Sequence, residues 1–286
     1  MQRRLKIAIQ KSGRLSEISL ELLKECGISV SNGKGALISQ ASNFPLDVFF
    51  LRDDDIPEYV ADGIADLGIL GENVVLESGA KINMVKRLNF GKCRLSLAVP
   101  KGIDYQSVTY FENKRIATSY PNILNEYLKE NGVTADVHQI SGSVEIAPNI
   151  GLADAICDLV SSGSTLLSNG LKEVQVILKS EAVLVANRHI DTEGVKILDK
   201  ILFRLNAVMT AKMNKYVILN APNHAIHTIS NILPGIKSPT VVPLATAGWS
   251  AMHSVLNEET FWDVIDDLRA AGAEGILVVP IEKMIV

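Results

Sequence analysis

The run Asp158-Leu159-Val160-Ser161-Ser162-Gly163-Ser164-Thr165-Leu166 carries the sharpest chemistry in the chain. An apolar strand feeds a loop of Ser, Gly and Thr, and a helix begins behind it. Small residues let main-chain N–H groups approach a phosphate closely, hydroxyls add donors, and the helix N-terminus adds positive potential. No Gly-Lys-Ser/Thr closes the loop, which disfavours an ATPase-type phosphate site. Asp154 and Asp158 precede the loop. Carboxylates beside a phosphate repel it unless they serve another group, such as ribose hydroxyls. Phosphate and ribose diol together point to a 5-phosphoribosyl group. A Ser-rich helix cap with a solvated Asp is the other reading of the same string.

The elements that must position this loop occur twice. Lys6-Ile7-Ala8-Ile9 reads as a buried strand, followed by the polar loop Gln10 to Arg14 and a helix ending Lys24-Glu25-Cys26-Gly27-Ile28. Arg115-Ile116-Ala117-Thr118 repeats the plan, with Ser119-Tyr120-Pro121 and a helix ending Lys129-Glu130-Asn131-Gly132-Val133. Gly27 and Gly132 fall where a left-handed C-terminal cap belongs, and Pro121 suits a first helical turn. A second match aligns Ala61-Asp62-Gly63-Ile64-Ala65-Asp66-Leu67, running on to Gly71, with Ala153-Asp154-Ala155-Ile156-Cys157-Asp158-Leu159, running on to Gly163. Each reads as a helix end, a buried strand and a Gly-containing turn into another helix. Such alternation predicts an α/β architecture of two lobes with largely parallel sheets and a ligand cleft between them. After a connecting stretch from about Glu193 to Met213 the pattern becomes βαββαβ, which is ferredoxin-like. Its strands begin near Tyr216, Thr240, Trp249 and Gly275, and its first helix closes at Pro234-Gly235.

The segment Glu145-Ile146-Ala147-Pro148-Asn149-Ile150-Gly151-Leu152-Ala153-Asp154, with the loop that follows, resembles the signature of the ATP phosphoribosyltransferase family, long form. Gln10-Lys11-Ser12-Gly13-Arg14-Leu15, Arg52-Asp53-Asp54-Asp55-Ile56-Pro57, Asp66 to Asn73 and Arg115 to Pro121 also look like that family. The resemblance implies a two-lobed catalytic part of periplasmic-binding-protein-like fold. Residues 1–90 with 181–206 would form lobe I, 91–180 lobe II, and 207–286 a histidine-binding regulatory domain. It implies the first step of histidine biosynthesis, in which ATP and phosphoribosyl pyrophosphate give phosphoribosyl-ATP and pyrophosphate with Mg²⁺. Lys11, Arg14, Asp154 and Asp158 would be the catalytic set. Glu145, Asp154, Asp158, Ser161, Ser162, Gly163, Ser164 and Thr165 would bind phosphoribosyl pyrophosphate, and Lys11, Gly13, Arg14 and Arg52 would bind ATP. Asn220, Ser238, Thr240, Val255 and Gly275 would line a histidine effector pocket. A homo-oligomer, dimer to hexamer, is implied as well.

Other features narrow the class. Net charge is −4, from 28 basic and 32 acidic residues, and no basic field for nucleic acid is present. No run approaches the ~18 apolar residues of a membrane helix. Three scattered cysteines and the absence of a secretory segment predict a reduced, cytoplasmic protein. Arg52-Asp53-Asp54-Asp55 could ligate Mg²⁺ or complement a helix dipole, and the structural role is favoured for Asp54 and Asp55. His224 and His227 read as ordinary surface or packing residues, and Trp249 as core or interface. A two-lobed solute-binding or sensor protein is the competing reading, but such proteins do not need the Asp-Ser-Ser-Gly-Ser-Thr constellation. A nucleobase-salvage phosphoribosyltransferase is another, with no reason to carry the βαββαβ tail.

Overall fold

A computed structural model describes residues 3–31, 36–233 and 235–286. The first lobe contains β1 (Leu5–Gln10), α1 (Arg14–Glu25), β2 (Ile38–Gln40), β3 (Leu46–Leu51), α2 (Ile56–Ala61), β4 (Leu67–Gly71), α3 (Glu72–Ser78) and β5 (Asn83–Arg87). The second contains β6 (Cys93–Pro100), β7 (Arg115–Thr118), α4 (Pro121–Glu130), β8 (Asp136–Gln139), β9 (Ala155–Val160), α5 (Ser164–Ser168) and β10 (Leu171–Ser180). The chain then returns through β11 (Ala182–Ala186) and enters the 22-residue helix α6 (Thr192–Met213).

Strand order shows the duplication. The first sheet runs β2-β3-β1-β4-β11-β5 and the second β10-β6-β9-β7-β8. In each, a central strand pairs in parallel with both neighbours: β1 with β3 and β4, β7 with β8 and β9. An antiparallel strand then completes the sheet, β11 on β4 and β6 on β9. Strand β11, all five residues of which are buried, places the segment after residue 180 back in the first sheet. Full burial on both faces explains its unbroken apolar sequence, Ala-Val-Leu-Val-Ala. Gly27 (φ +69°) and Gly132 (φ +67°) both adopt the left-handed conformation expected at the ends of α1 and α4.

The second sequence match is real but out of register. The amide of Asp66 donates to the Lys6 carbonyl at 2.9 Å, and that of Asp154 to the Arg115 carbonyl at 2.8 Å. Each carboxylate also accepts the N–H of the same strand residue, Lys6 at 2.7 Å and Arg115 at 3.0 Å. Asp66, not Asp62, is therefore the counterpart of Asp154. Both Gly71 and Gly163 cap a following helix, which is what anchored the sequence match. Three loop residues separate β9 from α5, whereas α3 follows β4 directly, so the two anchors disagree. The helix end expected before β9 is only a 3₁₀ turn, Val144–Ile146.

Contacts divide the chain into two compact units, Met1–Lys24 with Ile28–Ile197 and Glu25–Gly27 with Leu198–Val286. The division falls inside α6. The second unit carries β12 (Asn214–Pro222), α7 (Ile226–Ile232), β13 (Thr240–Pro243), β14 (Trp249–Asn257), α8 (Glu258–Ala270) and β15 (Glu274–Pro280). These form an antiparallel sheet of order β13-β14-β12-β15, the ferredoxin-like arrangement. Val217, Leu219, Met252 and Leu256 pack with Ile229, Leu233, Phe261 and Leu268, so both helices cover one face of the sheet. Pro234, expected to close the first helix, lies outside the described residues.

Candidate functional site

Parallel strands end where ligands bind in open α/β sheets, and the expected residues collect at those ends. Lys11, Gly13 and Arg14 follow β1, and Arg52 follows β3. The Lys11 amide donates to the Leu51 carbonyl at 2.7 Å, which fastens the two loops together. Gly13 has φ +92°, and the side chains of Lys11, Arg14 and Arg52 are exposed. None of these three cations is in an ion pair among the described residues.

In the second lobe the phosphate-loop candidates stand at the end of β9. Gly163 has φ +82° and caps α5, while Ser162 Oγ and Ser164 Oγ are 2.9 Å apart. Ser161, Ser162, Ser164 and Thr165 are exposed. Arg94 donates to the Ser161 carbonyl at 3.1 Å and is itself held by Glu173, which also holds Ser96. Asp158, half-buried in β9, accepts the Leu159 amide at 2.7 Å. Burial pushes its carboxyl above the ordinary aspartate value; the Leu159 hydrogen bond opposes this and the nearby charge of Glu145 adds to it. Glu145, on its 3₁₀ turn, is thus close enough to Asp158 for its charge to act there.

Asp154 is not. It precedes β9, at the opposite end of a six-residue strand, which puts it roughly 20 Å from the loop. Its carboxylate is paired with Arg115 at 2.8 Å. The Arg115 side-chain and main-chain hydrogen bonds hold its pKa down to about 2. Asp154 therefore pins the entry of β9 to β7, as Asp66 does with Lys6 and Arg3 in the first lobe. The ribose-contacting role expected of it is corrected to a structural one. Asn in place of Asp158 is expected to lower kcat/KM by about 1–3 kcal/mol, roughly 5- to 150-fold. The same exchange at Asp154 is expected to leave kcat/KM within about twofold and to lower the melting temperature instead. Steady-state kinetics and melting curves on both variants check the pair.

Between the lobes lies a cavity of about 560 Å³ lined by Asp54, Val74, Glu77, Ser119, Tyr120 and Gly142. Tyr120 is its most constrained member. Burial pushes its hydroxyl pKa up, helped by the charges of Asp158 and Asp53, while a hydrogen bond with Asn73 opposes the shift. Asp53 is half-buried, its buried Oδ1 has no partner among the described residues, and desolvation followed by the charge of Asp54 raises its pKa to about 6. Of the three consecutive acids only Asp54 and Asp55 are exposed, in keeping with a dipole-complementing role. A second cavity, about 400 Å³, is lined by Arg87, Lys92, Cys93, Arg94, Ser161 and Lys179 among others. Sequence reading named Asp53 only within the acidic run Arg52 to Asp55 and Tyr120 only within a family-like stretch, and it assigned Glu77 and this cationic group no role. They come from separate segments and form no motif. The described residues contain no cluster of three His, Cys, Asp or Glu side chains able to hold a metal.

In the second unit, Asn220 pairs with Ala251, Thr240 with His253, and Val255 with Tyr216. These alternate with the helix-covered Leu219, Met252 and Leu256, so Asn220, Thr240 and Val255 share the uncovered sheet face. Gly275 (φ +58°) sits beside Asn220, whose Nδ2 would be 3.4 Å from an added Cβ. Ser238 is exposed just before β13.

Comparison with known proteins adds the following. Residues 52–207 match the family model described as ATP phosphoribosyltransferase, and residues 211–283 match the model described as HisG, C-terminal domain. The ATP phosphoribosyltransferase of Cytophaga hutchinsonii is 59% identical over 281 residues, covering 98% of each chain. That of Bacteroides fragilis is 57% identical over 282 residues, covering 99% of this chain and all of the relative. Among solved structures, the ATP phosphoribosyl transferase (HisG:HisZ) complex from Thermotoga maritima matches with TM-score 0.60 and 30% identity, over 71% of this chain and 98% of that one. An L-arginine-bound protein, Tv2483, matches with TM-score 0.50 and 14% identity over 71% of this chain and 84% of that one, a likeness of fold alone.

Proposed function

The chain belongs to the ATP phosphoribosyltransferase family, and on that footing we propose that it transfers the 5-phosphoribosyl group of phosphoribosyl pyrophosphate to N1 of the adenine of ATP. The observation that carries this reading is the grouping at the strand ends. Asp158, with the Gly163-centred hydroxyl loop, ends one lobe's sheet, and three exposed cations, Lys11, Arg14 and Arg52, end the other's. The loop suits the 5-phosphate, Asp158 and Glu145 suit the ribose hydroxyls, and the exposed cations suit the triphosphate of ATP.

Adenine N1 is a weak nucleophile, so departure of pyrophosphate leads and the ribose becomes cation-like. Arg94, Lys92 and Lys179, gathered beside Ser161, are placed to hold negative charge on the leaving group, and such donors are commonly worth ~3 kcal/mol each. The carboxylate of Asp158 faces the ribose as positive charge develops there. Lobe closure aligns the two substrates and expels water. A strong protein base is not demanded. Mg²⁺ arriving with the pyrophosphate would supply further charge neutralisation, and the exposed carboxylate of Asp54 is the kind of oxygen donor such a hard cation takes. Release of pyrophosphate that requires both ATP and phosphoribosyl pyrophosphate tests the proposal. A two-lobed binding protein would bind without releasing it.

The reading extends to regulation, assembly and compartment. The uncovered face of the C-terminal sheet offers Thr240, Ser238 and Asn220 to an amino acid, with hydroxyls and amides for a carboxylate and the Asn220 side chain for an ammonium or imidazole. Exposed apolar residues on this sheet, among them Leu277 and Val279, favour a homo-oligomer, which the family resemblance makes a dimer or hexamer. Three free cysteines and the absence of any described helix long and apolar enough to cross a membrane favour a cytoplasmic enzyme in histidine biosynthesis. A Thr240→Trp variant is expected to keep its turnover and to need at least about 10-fold more histidine for half-inhibition, as fits a coupling of ~1–3 kcal/mol. Inhibition at the wild-type histidine concentration would move the effector site elsewhere.

A further inference from the structure

Helix α4 does not cap itself. Its first residue, Pro121, has no N–H, and Tyr120 ahead of it makes no side-chain cap. The next two amides are taken by a carboxylate of the other lobe: Asn122 N–H donates to Glu77 Oε1 at 2.9 Å and Ile123 N–H to Glu77 Oε2 at 3.0 Å. Asn122 Nδ2 adds a third bond, to the Glu77 carbonyl, at 2.9 Å. Glu77 lies in α3 of the first lobe, so a negative group there meets both the open amides and the positive dipole end of a helix in the second. One turn back along α3, the Asn73 side chain lies close enough to Tyr120 to oppose the rise of its hydroxyl pKa. Asn73 is fixed in turn by Ser180, at the crossing between lobes, whose Oγ donates to Asn73 Oδ1 at 2.8 Å and accepts the Asn73 amide at 3.1 Å. Positions 73 and 77 lie on one helix face, and both address the segment 120–123.

We propose that Glu77 is a positioning residue for the transfer reaction, a clasp that holds the two lobes at the separation where both substrates meet. Every partner in the clasp is a protein group, so its strength does not depend on either substrate. The segment it grips contains Tyr120, which is next to Asp53 and Asp158, so a change in lobe spacing reaches the site directly. The role rests on the two-substrate cleft argued above. Losing the clasp lowers the fraction of molecules in the closed form, and apparent affinity falls by that fraction for any ligand that needs closure.

Glu77→Ala removes the clasp. Glu77→Gln keeps its length but has one acceptor oxygen and no charge. Glu77→Asp keeps the charge but is one methylene too short to reach both amides. In the alanine and glutamine variants KM for ATP and for phosphoribosyl pyrophosphate is expected to rise together, about 10-fold, with kcat within about twofold, and the aspartate variant falls between. Spin labels at the exposed positions of Lys81→Cys and Lys129→Cys, in a Cys93→Ser background, should give a narrow inter-lobe distance distribution that becomes broader and longer with Glu77→Ala. A lowered kcat with unchanged KM and a lower melting temperature would reduce Glu77 to a fold-stabilising cap and overturn the proposal. An unchanged distance distribution would overturn it too. The distance measurement needs no turnover, so a wild-type chain without transferase activity would refute the functional reading and leave the clasp to be decided separately.

Discussion

Gly163→Val is expected to lose at least about 100-fold in turnover while melting within a few degrees of the parent protein. Gly163 sits at φ +82°, and an added Cβ would meet only Val160 Cγ1, at an ordinary 3.8 Å. There is room for a side chain, so the difficulty is the backbone. A left-handed conformation costs an L-residue roughly 1–2 kcal/mol, and a β-branched one more. The loop can escape that strain by turning out of the left-handed region, because Ser161, Ser162 and Ser164 beside it are exposed and carry little packing. Turning it re-aims the amides and hydroxyls proposed to hold the phosphate. Loss of one well-aimed donor is commonly worth ~3 kcal/mol, which is the predicted 100-fold. Steady-state turnover and a melting curve check it together. Near-normal turnover with a normal melt would remove the loop from the site.

The second large effect concerns stability and has an unusual sign. Asp53→Asn is expected to stabilise the protein above pH 7 by about 2 kcal/mol. Burial, with the charge of Asp54 behind it, raises the Asp53 pKa to about 6 from an ordinary value of 3.8. A carboxyl raised in the folded state favours folding fully while it is protonated in both states, below about pH 4. That contribution is lost as pH rises through about 6, where the folded protein must hold a buried charge. The full shift corresponds to roughly 3 kcal/mol, and the part of the residue still open to water reduces it. Asparagine carries no charge, so melting curves of the two proteins should coincide near pH 4 and separate by pH 8, the variant being higher. The variant should also turn over more slowly. A buried carboxylate oxygen near Tyr120, with no partner among the described residues, is a cost to the fold that function explains better than packing does.

What the sequence could disclose follows from how local each feature is. The left-handed glycines at 27 and 132 and the βαββαβ order of the tail are written within a few residues, and each has the expected form. Asp154 shows the limit. The spacing Asp-x₃-Asp looks like one site, but a strand intervenes, and extended chain moves roughly 3.3 Å per residue. Only the backbone pairing of Asp154 with Arg115 and of Asp66 with Lys6 shows that these acids secure strand entries. Glu77, Asn73, Tyr120 and Ser180 were illegible for a different reason. Their partnership crosses between lobes whose chain passes over twice, with sequence separations of 45 to 107 residues among the bonded pairs. The same holds for Arg94 and Glu173 beside Ser161, which are neighbours only because β6 and β10 pair.

The most direct test of the transfer reaction is the identity of its product. The protein, incubated with Mg²⁺ and phosphoribosyl pyrophosphate, would be offered ATP in one reaction and free adenine in another, with products separated and weighed by mass spectrometry. The proposed ATP contacts Lys11, Arg14 and Arg52 and the proposed phosphoribosyl loop predict phosphoribosyl-ATP and one equivalent of pyrophosphate from the first reaction and no ribosylated product from the second. Ribosylation of adenine but not of ATP, or binding of both substrates without any ribosylated product, would contradict it.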